Sequence, residues 1–526
     1  MCRREDTPVV ALADDLSGAA EVAALLGLPA RLVLHPAELE VSLTSGEALV
    51  MDLDSRYLDD EAASHAVRAA LAAVVRPAPA AGAREGTDVM GGRAFRAVNS
   101  LVEGGTPLWF KKCDSLLRGP VGAEAAAFAE GAGTLVIATA LPAARRVVRD
   151  GVVLVDGVPL HESAAWRAEE RAAPRSVAEA LTPLPTTGVA LGTVRQGPRA
   201  LADRFREVAA RGRHPVCDAE TDTDLSVIAE AAALLGPGTR LLGSGGLAAA
   251  LGRLLAPRGT DGPSARAASA EAGPAACPTV PAPVAASRPT GPVAAAGPAA
   301  TRAPAGRTSP PSPESSAAPP GAGSAPRFPA GPAAARRSPA RPAAVPSVPA
   351  ARKAAGHPAP TSADGAVRPL LVVAGSADPV VGEQVAELVA NGARHLTLDP
   401  GRLAGTAGPL PLPDLAPGSV TVLSVDGNGG VRAGAARAIV AGLARTVSAL
   451  PGHPDLVLTG GETARRVLDS LGITALRPVG EIHHGAVHCQ TTDGRSVVTR
   501  PGSFGGPDSF VRIAAALRPS QQGVTQ

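Results

Sequence analysis

Two adjacent aspartates, Asp14 and Asp15, lie near the start of the chain, where a short apolar segment gives way to one rich in alanine. Residues Val9-Val10-Ala11-Leu12 predict a strand and residues Gly18 to Leu26 predict a helix. The edge where strands end and helices begin is where open α/β sheets bind ligands. Helix capping would account for one aspartate, but not for both. The pair therefore predicts an acid that orients or deprotonates an attacking hydroxyl, with Asp15 favoured over Asp14.

Two more polar clusters follow predicted strands in the same part of the chain. The segment Met51-Asp52-Leu53-Asp54-Ser55-Arg56 ends one strand, and Phe110-Lys111-Lys112-Cys113-Asp114-Ser115-Leu116-Leu117-Arg118 ends another. Arginine binds a carboxylate with two parallel hydrogen bonds, and lysine offsets phosphate charge. If the three strands are neighbours, their polar ends form one cleft. A solvated basic turn is the alternative for the second segment.

The second half of the chain contains three glycine loops, each beside a predicted strand. They are Gly375-Ser376, Gly460-Gly461-Glu462-Thr463 and Gly502-Ser503-Phe504-Gly505-Gly506. Backbone amides at such turns can hold phosphates, and the second loop opens a predicted helix near Thr463. The Gly-x-x-x-x-Gly-Lys-Ser/Thr motif of P-loop enzymes does not occur in the sequence. Gly243-Ser244-Gly245-Gly246-Leu247-Ala248 fits a dinucleotide-binding pattern, which is weak without a following βαβ unit.

Short β-branched runs alternate with Ala/Leu-rich stretches on both sides of a Pro-rich segment, which predicts the α/β class. We expect two α/β domains with mainly parallel sheets, at residues 1–255 and 368–518. Residues 256–367 hold 24 of the 52 prolines and predict a long disordered Ala/Pro-rich linker, and 519–526 predict a tail. Further predicted strands are Ala48–Leu53, Leu108–Lys111, Thr134–Ala138, Val189–Leu191, Pro215–Cys217, Thr239–Leu242, Leu370–Ala374, Ser419–Val425 and Leu456–Leu458, with a β-rich stretch near Ala486 to Val498.

Charge and cysteine content narrow the class of protein. The net charge is +2, and the predicted linker is basic, so nothing in the balance requires a nucleic-acid partner. Five scattered cysteines without a Cys-x-x-Cys pair indicate a reducing compartment. No signal peptide or long apolar run is evident, so we expect a cytoplasmic protein without a membrane partner.

The ordered set of motifs resembles the four-carbon acid sugar kinases, which include D-threonate, D-erythronate and 3-oxo-tetronate kinases. The resemblance covers both ends of the chain. In the first half it rests on Ala-Asp-Asp-Leu-Ser-Gly-Ala at 13–19, Asp-Ser-Arg at 54–56, Lys-Lys-Cys-Asp-Ser-Leu-Leu-Arg-Gly at 111–119, Asp-Ala-Glu-Thr-Asp-Thr-Asp-Leu at 218–225 and Gly-Ser-Gly-Gly-Leu-Ala at 243–248. In the second half it rests on Gly-Gly-Glu-Thr at 460–463 and Pro-Gly-Ser-Phe-Gly-Gly-Pro-Asp at 501–508.

The resemblance implies a kinase that uses ATP and Mg2+ to phosphorylate the 4-hydroxyl of a four-carbon acid sugar. The acid sugar would bind the N-terminal domain and ATP the C-terminal domain. The implied sugar-side residues are Asp14, Asp15, Arg56, Lys111, Asp114, Ser115 and Arg118. The implied nucleotide-side residues are Ser376, Gly460, Gly461, Glu462, Thr463, Gly502, Gly505 and Gly506.

Several choices stay open within this interpretation. Asp508 is a third candidate for the catalytic acid, Arg56 or Arg118 would hold the substrate carboxylate, and Lys111 would serve the transferred phosphate. The metal ligands and the stereoisomer of the acid are undetermined, and a homo-oligomer is compatible with the sequence. The alternatives are a kinase for another small polyhydroxy acid, a non-catalytic sugar-acid or nucleotide sensor, and an NAD-dependent oxidoreductase.

Overall fold

A single mixed sheet runs through both halves of the protein. The computed structural model describes residues 8–36, 46–75, 107–166, 169, 171–256, 367–375, 379–405, 408–426, 435–502 and 504–518. Most of the predicted linker and the predicted tail lie outside these residues, and so does Ser376. All described residues belong to one compact unit.

Eighteen strands are present in the described residues. In the N-terminal half they are β1 (Val9–Ala13), β2 (Ala30–Val33), β3 (Ala48–Asp52), β4 (Leu108–Lys112), β5 (Thr134–Ala138), β6 (Arg146–Arg149), β7 (Val152–Val155), β8 (Val158–Pro159), β9 (Thr186–Val189), β10 (His214–Cys217) and β11 (Thr239–Gly243). In the C-terminal half they are β12 (Leu370–Ala374), β13 (Arg394–Leu398), β14 (Val420–Val425), β15 (Asp455–Thr459), β16 (Ala475–His483), β17 (Ala486–Gln490) and β18 (Ser496–Arg500).

Helices connect most of these strands, as expected for parallel neighbours. Those of the N-terminal half are α1 (Leu16–Leu25), α2 (Asp60–Val75), α3 (Val121–Ala129), α4 (Val177–Ala180), α5 (Leu191–Val194), α6 (Pro198–Ala209), α7 (Asp222–Ala233) and α8 (Gly245–Leu255). Those of the C-terminal half are α9 (Pro379–Ala390), α10 (Pro400–Gly405), α11 (Ala436–Ser448), α12 (Gly461–Ser470) and α13 (Ser509–Leu517).

The large sheet has fifteen strands in the order β13-β14-β12-β15-β18-β17-β16-β2-β3-β1-β4-β11-β5-β10-β9. The eight strands from β2 to β9 are parallel, and so are the five from β13 to β18. The antiparallel strands β16 and β17 lie between these two blocks. The halves meet where β16 pairs with β2, through Ala475 opposite Val33 and Leu476 opposite Leu32. The predicted α/β class with a mainly parallel sheet is confirmed.

The central strands are apolar because helices cover both faces of a parallel sheet. Strands β1, β3, β5, β12 and β15 are buried along their full length. The predicted strand at Val189–Leu191 is wrong beyond its first residue, since β9 ends at Val189 and Leu191 begins α5. A three-residue apolar window does not distinguish the end of a strand from the start of a short helix. A separate antiparallel sheet, β6-β7-β8, is also present and was not predicted from the sequence.

Candidate functional site

The three polar clusters of the N-terminal half meet at one edge of the sheet. Strand β1 lies between β3 and β4, with Ala13 opposite both Asp52 and Lys112. Because the strands are parallel and in register, the residues that follow them lie side by side. Backbone N–H groups of Ser55 and Arg56 donate to the Asp14 carbonyl, which fixes the second cluster against the first.

Asp14 and Asp15 share one guanidinium. Arg56 donates to Asp14 Oδ2 from Nε at 2.8 Å and to Asp15 Oδ2 from NH1 at 2.6 Å. Burial opposes ionisation of Asp14, but the positive charges of Arg56, Lys111 and Lys112 leave its pKa below the usual range. Asp15 also caps α1, since its Oδ1 accepts a hydrogen bond of 2.7 Å from the Gly18 N–H. The two carboxylates are thus held in one orientation.

The two lysines of β4 have different environments. Lys111 is fully buried and forms an ion pair of 3.1 Å with Glu124, which also accepts from Ser55 Oγ. Lys112 lies 3.5 Å from Glu21, and its Nζ donates to the Cys113 carbonyl. Burial lowers the pKa of Lys112, but Glu21, Asp14 and Asp15 together raise it above the ordinary value.

The loop after β4 is fixed by a local ion pair. Asp114 accepts from Arg118 Nε at 2.5 Å and from NH2 at 3.1 Å, and this charge keeps the pKa of Asp114 far below its ordinary value despite burial. Ser115 Oγ accepts a hydrogen bond of 2.7 Å from NH1 of Arg146, the first residue of β6. Leu117 adopts a left-handed backbone conformation, φ 59°, within this turn. Such a conformation is uncommon for a non-glycine residue and tends to occur at functional sites.

The second glycine loop brings the C-terminal half to Asp15. Gly460 has a φ of 90°, which favours glycine, and Gly461 begins α12. A Cβ atom on Gly461 would lie 3.0 Å from Asp15 Cγ and closer to its Oδ2. Thr463, in the first turn of the helix, packs against Gly375 so closely that a Cβ there would lie 2.8 Å from its Cγ2. The positive end of the α12 dipole is therefore next to the Asp15 carboxylate.

The third glycine loop is held through its carbonyl groups. Gln384 Nε2 donates to the carbonyls of Phe504, Gly505 and Gly506 at 3.1–3.3 Å. The fully buried Arg500 donates to the carbonyls of Pro501, Gly502 and Phe504. The carbonyls of this turn are thus bound by protein side chains, and backbone N–H groups of turns can bind anions.

A cavity of about 50 Å³ lies between these groups. Asp15, Arg56, Asp114, Ser115 and Arg118 line it from the N-terminal half, together with Ser17, Glu21, Lys112 and Arg146. Pro501 and Phe504 line it from the C-terminal half. A larger hollow of about 470 Å³ at the start of α6 is lined by none of the predicted site residues, so its size does not indicate the site.

The other predicted residues are distributed around this centre. Glu462 is partly buried, which raises its pKa, and Gly502 is also partly buried. Gly505, Gly506 and Asp508 are exposed, and Asp508 does not line the cavity. Lys111 is close to the cleft but faces Glu124 beneath it.

The glycines at 243–248 are explained by packing. A Cβ on Gly245 would lie 2.8 Å from Glu21 Cδ, and one on Gly246 would lie 2.8 Å from Leu225 Cδ1. Ser244 Oγ donates to the Ala140 carbonyl at 2.6 Å. The loop is thus filled by protein side chains where a dinucleotide-binding loop needs space for a pyrophosphate.

No group of three or more His, Cys, Asp or Glu side chains that could hold a metal ion occurs among the described residues. Mg2+ in nucleotide sites is commonly held by one or two carboxylates together with phosphate oxygens. Asp14 Oδ1 is buried and has no hydrogen-bond partner among the described residues. That oxygen fits a shared site of this kind.

Comparison with known families agrees with this geometry. Residues 9–251 match the family model described as a sugar-binding N-terminal domain, and residues 417–510 match the one described as a nucleotide-binding C-terminal domain. Together the two matches span more than half of the chain. The chain belongs to the four-carbon acid sugar kinase family.

Two relatives within this family carry the name D-threonate kinase. The protein from Cupriavidus necator H16 is 34% identical over 246 residues, which are 46% of this chain and 52% of that protein. The protein from Salmonella typhimurium LT2 is 31% identical over 257 residues, which are 46% of this chain and 53% of that protein. The match thus spans about half the length of these curated relatives.

Solved structures share the fold of this family member at low identity. A Salmonella typhimurium LT2 protein has a TM-score of 0.60 and 17% identity, with 96% of this chain and 98% of that chain covered. A Haemophilus influenzae protein of the DUF1537 family has a TM-score of 0.56 and 18% identity, with 97% of this chain and 100% of that chain covered.

Among the described residues, no helix is long and apolar enough to span a bilayer.

Sequence reasoning missed four polar side chains that line the cavity: Ser17, Glu21, Lys112 and Arg146. Ser17 and Glu21 are four positions apart on α1, which would have placed them on one helix face with the aspartates at its start. Lys112 was quoted within its cluster but not selected. Arg146 lies on a strand that was not predicted, and nothing in its neighbourhood of arginines and valines distinguishes it.

Proposed function

We propose that this protein is an ATP-dependent kinase that phosphorylates the 4-hydroxyl of a four-carbon acid sugar. The observation that carries the proposal is the position of Asp15, which lines the N-terminal cavity and also contacts Gly461 at the start of α12. A phosphoryl-transfer enzyme needs an acid at the junction of the acceptor and nucleotide sites. The names of the relatives and the two family models support the same reaction.

When bound, ATP would supply the transferred phosphoryl group, and Mg2+ would neutralise charge on its phosphates. Gly460, Gly461, Glu462 and Thr463 would hold the nucleotide at the start of α12, with Ser376, Gly502, Gly505 and Gly506 as further candidates. Asp14 Oδ1, which has no hydrogen-bond partner among the described residues, and the Asp15 carboxylate would hold this metal.

Asp15 orients the acceptor hydroxyl and takes its proton. Its position is fixed from two sides, by the Gly18 N–H and by Arg56 NH1. Asp14, ionised by the surrounding cations, holds Arg56 in place. Lys112, next to Gly18, supplies positive charge to the growing negative charge of the transferred group, a role that the sequence had suggested for Lys111.

The cavity is narrow in the present arrangement, with a volume of about 50 Å³. Pro501 and Phe504 would therefore move away to admit the substrate and return to exclude water. Closure of this kind limits hydrolysis of ATP.

The test is ADP formation with Mg2+ and D-threonate, D-erythronate, L-threonate or a 3-oxo-tetronate, for the wild type and Asp15→Asn. Asparagine caps helices about as well as aspartate, so the variant keeps α1 in place. Loss of the Asp15 carboxylate should reduce turnover by about 10²–10⁴-fold. Asp60→Asn, at an exposed carboxylate in the first turn of α2, is the matched control and should keep full turnover.

If the wild type turns over one of these acids and Asp15→Asn does not, the reaction and the substrate are established. Saturable binding of an acid or ATP without turnover would contradict the catalytic proposal and indicate a sensor. If the protein turns over only another polyhydroxy acid, the proposed acceptor is wrong and the proposed kinase activity stands. The cytoplasmic location stays a prediction from the sequence, as do the domain limits and a homo-oligomer.

A further inference from the structure

Arg146 is a cation of the cavity that lacks a carboxylate partner. Among the described residues, no Asp or Glu side chain lies within ion-pair distance of its guanidinium, and its one side-chain hydrogen bond goes to Ser115 Oγ at 2.7 Å. The guanidinium lies 6.0 Å from the centre of the Phe504 ring. Burial lowers the pKa of Arg146, as expected for a charge that is removed from water without full compensation.

The other cations of the cavity are already neutralised. Arg56 pairs with Asp14 and Asp15, and Arg118 pairs with Asp114. Lys112 pairs with Glu21 at 3.5 Å. An anionic substrate group gains most from a cation that has no other partner, because it need not displace an existing ion pair.

Two polar side chains of α1, the hydroxyl of Ser17 and the carboxylate of Glu21, line the same cavity as Arg146. Ser17 Oγ and Glu21 Oε1 are buried without a hydrogen-bond partner among the described residues, with Glu21 Oε1 next to Gly245. Buried polar atoms are nearly always paired in native proteins, so such atoms indicate a ligand. A hydroxyl group can donate to the carboxylate of Glu21 and accept from Ser17.

We propose that Arg146 binds the carboxylate of the substrate, with Ser115 beside it, and that Ser17 and Glu21 bind its hydroxyl groups. This inference rests on the proposed function and assigns the residues that recognise its substrate. It replaces Arg56 and Arg118 as the residues that recognise the carboxylate. Phe504 stacks on His484, with ring centres 5.4 Å apart, and also lies next to Arg146, so the carboxylate site is close to Phe504 and its loop.

The experiment compares wild type, Arg146→Gln and Arg146→Lys by calorimetric titration with D-threonate and by initial rates with varied acid and ATP. A lost charge-assisted hydrogen-bond pair should weaken acid binding by about 10–100-fold in Arg146→Gln. Arg146→Lys should restore part of the affinity because it keeps the charge. Arg149→Gln, on the same strand but exposed and paired with Glu220, is the matched control and should bind like the wild type.

The readouts separate recognition from folding and from the nucleotide. The proposal requires a raised KM for the acid, an unchanged KM for ATP, and a thermal midpoint close to that of the wild type. Threitol, the neutral tetrol without a carboxylate, should bind wild type and Arg146→Gln equally weakly. A penalty that also appears with threitol, or that falls on ATP, would overturn the assignment of the carboxylate to Arg146.

The two levels of inference fail in different ways. If the wild type phosphorylates a four-carbon acid and Arg146→Gln keeps its KM, the carboxylate assignment is wrong and the proposed function stands. If the wild type binds D-threonate without turnover and Arg146→Gln loses the binding, the recognition site stands and the kinase does not. If no four-carbon acid binds the wild type, both are overturned.

Discussion

Gly461→Ala tests the contact between the two halves of the site. An added Cβ would lie 3.0 Å from Asp15 Cγ, whereas ordinary van der Waals contact is 3.4–4 Å. Asp15 Oδ2 lies closer still, so the carboxylate would have to move by about 1 Å, against hydrogen bonds of 2.7 Å from the Gly18 N–H and 2.6 Å from Arg56. Misplacement of a catalytic group by about 1 Å can cost on the order of 10²-fold in rate.

We expect a turnover number about 10²-fold lower in Gly461→Ala, measured as ADP formation at saturating acid and ATP. Gly382→Ala is the matched control, because Gly382 lies within α9 with nothing within 4 Å of an added Cβ. It should keep full turnover and gain about 0.5–1 kcal/mol in unfolding free energy from helix propensity. Wild-type turnover in Gly461→Ala, or equal losses in both variants, would refute the assigned role of the contact.

Two further predictions concern the ion pair between the two halves of the protein and the third glycine loop, residues 502–506. Burial raises the pKa of Asp52 to about 7, against the opposing effect of its ion pair with Arg465, so the folded state holds this proton more tightly than the unfolded chain, with its pKa of 3.8. The stability that comes from this proton is present below about pH 4 and is lost as pH rises through 7. Between these values the unfolding free energy should fall by up to about 1.4 kcal/mol per pH unit because of Asp52, and Asp52→Asn should remove this contribution. Chemical denaturation at a series of pH values measures it, and the same pH dependence in wild type and Asp52→Asn would contradict the prediction. Gln384→Ala should raise the KM for ATP about tenfold, since the loop carbonyls of Phe504, Gly505 and Gly506 lose their shared donor. It should raise the KM for the acid by a smaller factor, because Phe504 of this loop also lines the cavity. Equal changes in both constants would indicate a general loss of structure instead.

The sequence predicted the sheet edge well because its signals are local. Apolar runs such as Val9-Val10-Ala11-Leu12 and Leu370–Ala374 lie on central strands, and polar residues follow them directly. Parallel neighbours then bring the three clusters together without further information. Only the adjacency of the three strands had to be assumed, and the structure places β1 between β3 and β4.

The pairing of charges was not predictable from one sequence. Which of Lys111 and Lys112 faces the cavity depends on the pleat of β4 and on Glu124, which comes from a helix that follows. Arg56 bridges Asp14 and Asp15 across separate loops, so its engagement depends on tertiary structure. Sequence spacing gives the residue types of a site, whereas long-range packing decides which charges are already satisfied.

The seam between β16 and β2 has a consequence for how this chain can vary in evolution. The halves are held in register by the pairing of Ala475 with Val33 and of Leu476 with Leu32, and by the ion pair between Asp52 and Arg465. None of these interactions passes through the segment that joins Ala256 to Val367 in sequence. We therefore expect the geometry of the cleft to be kept when this segment changes in length, as long as it still connects the two halves.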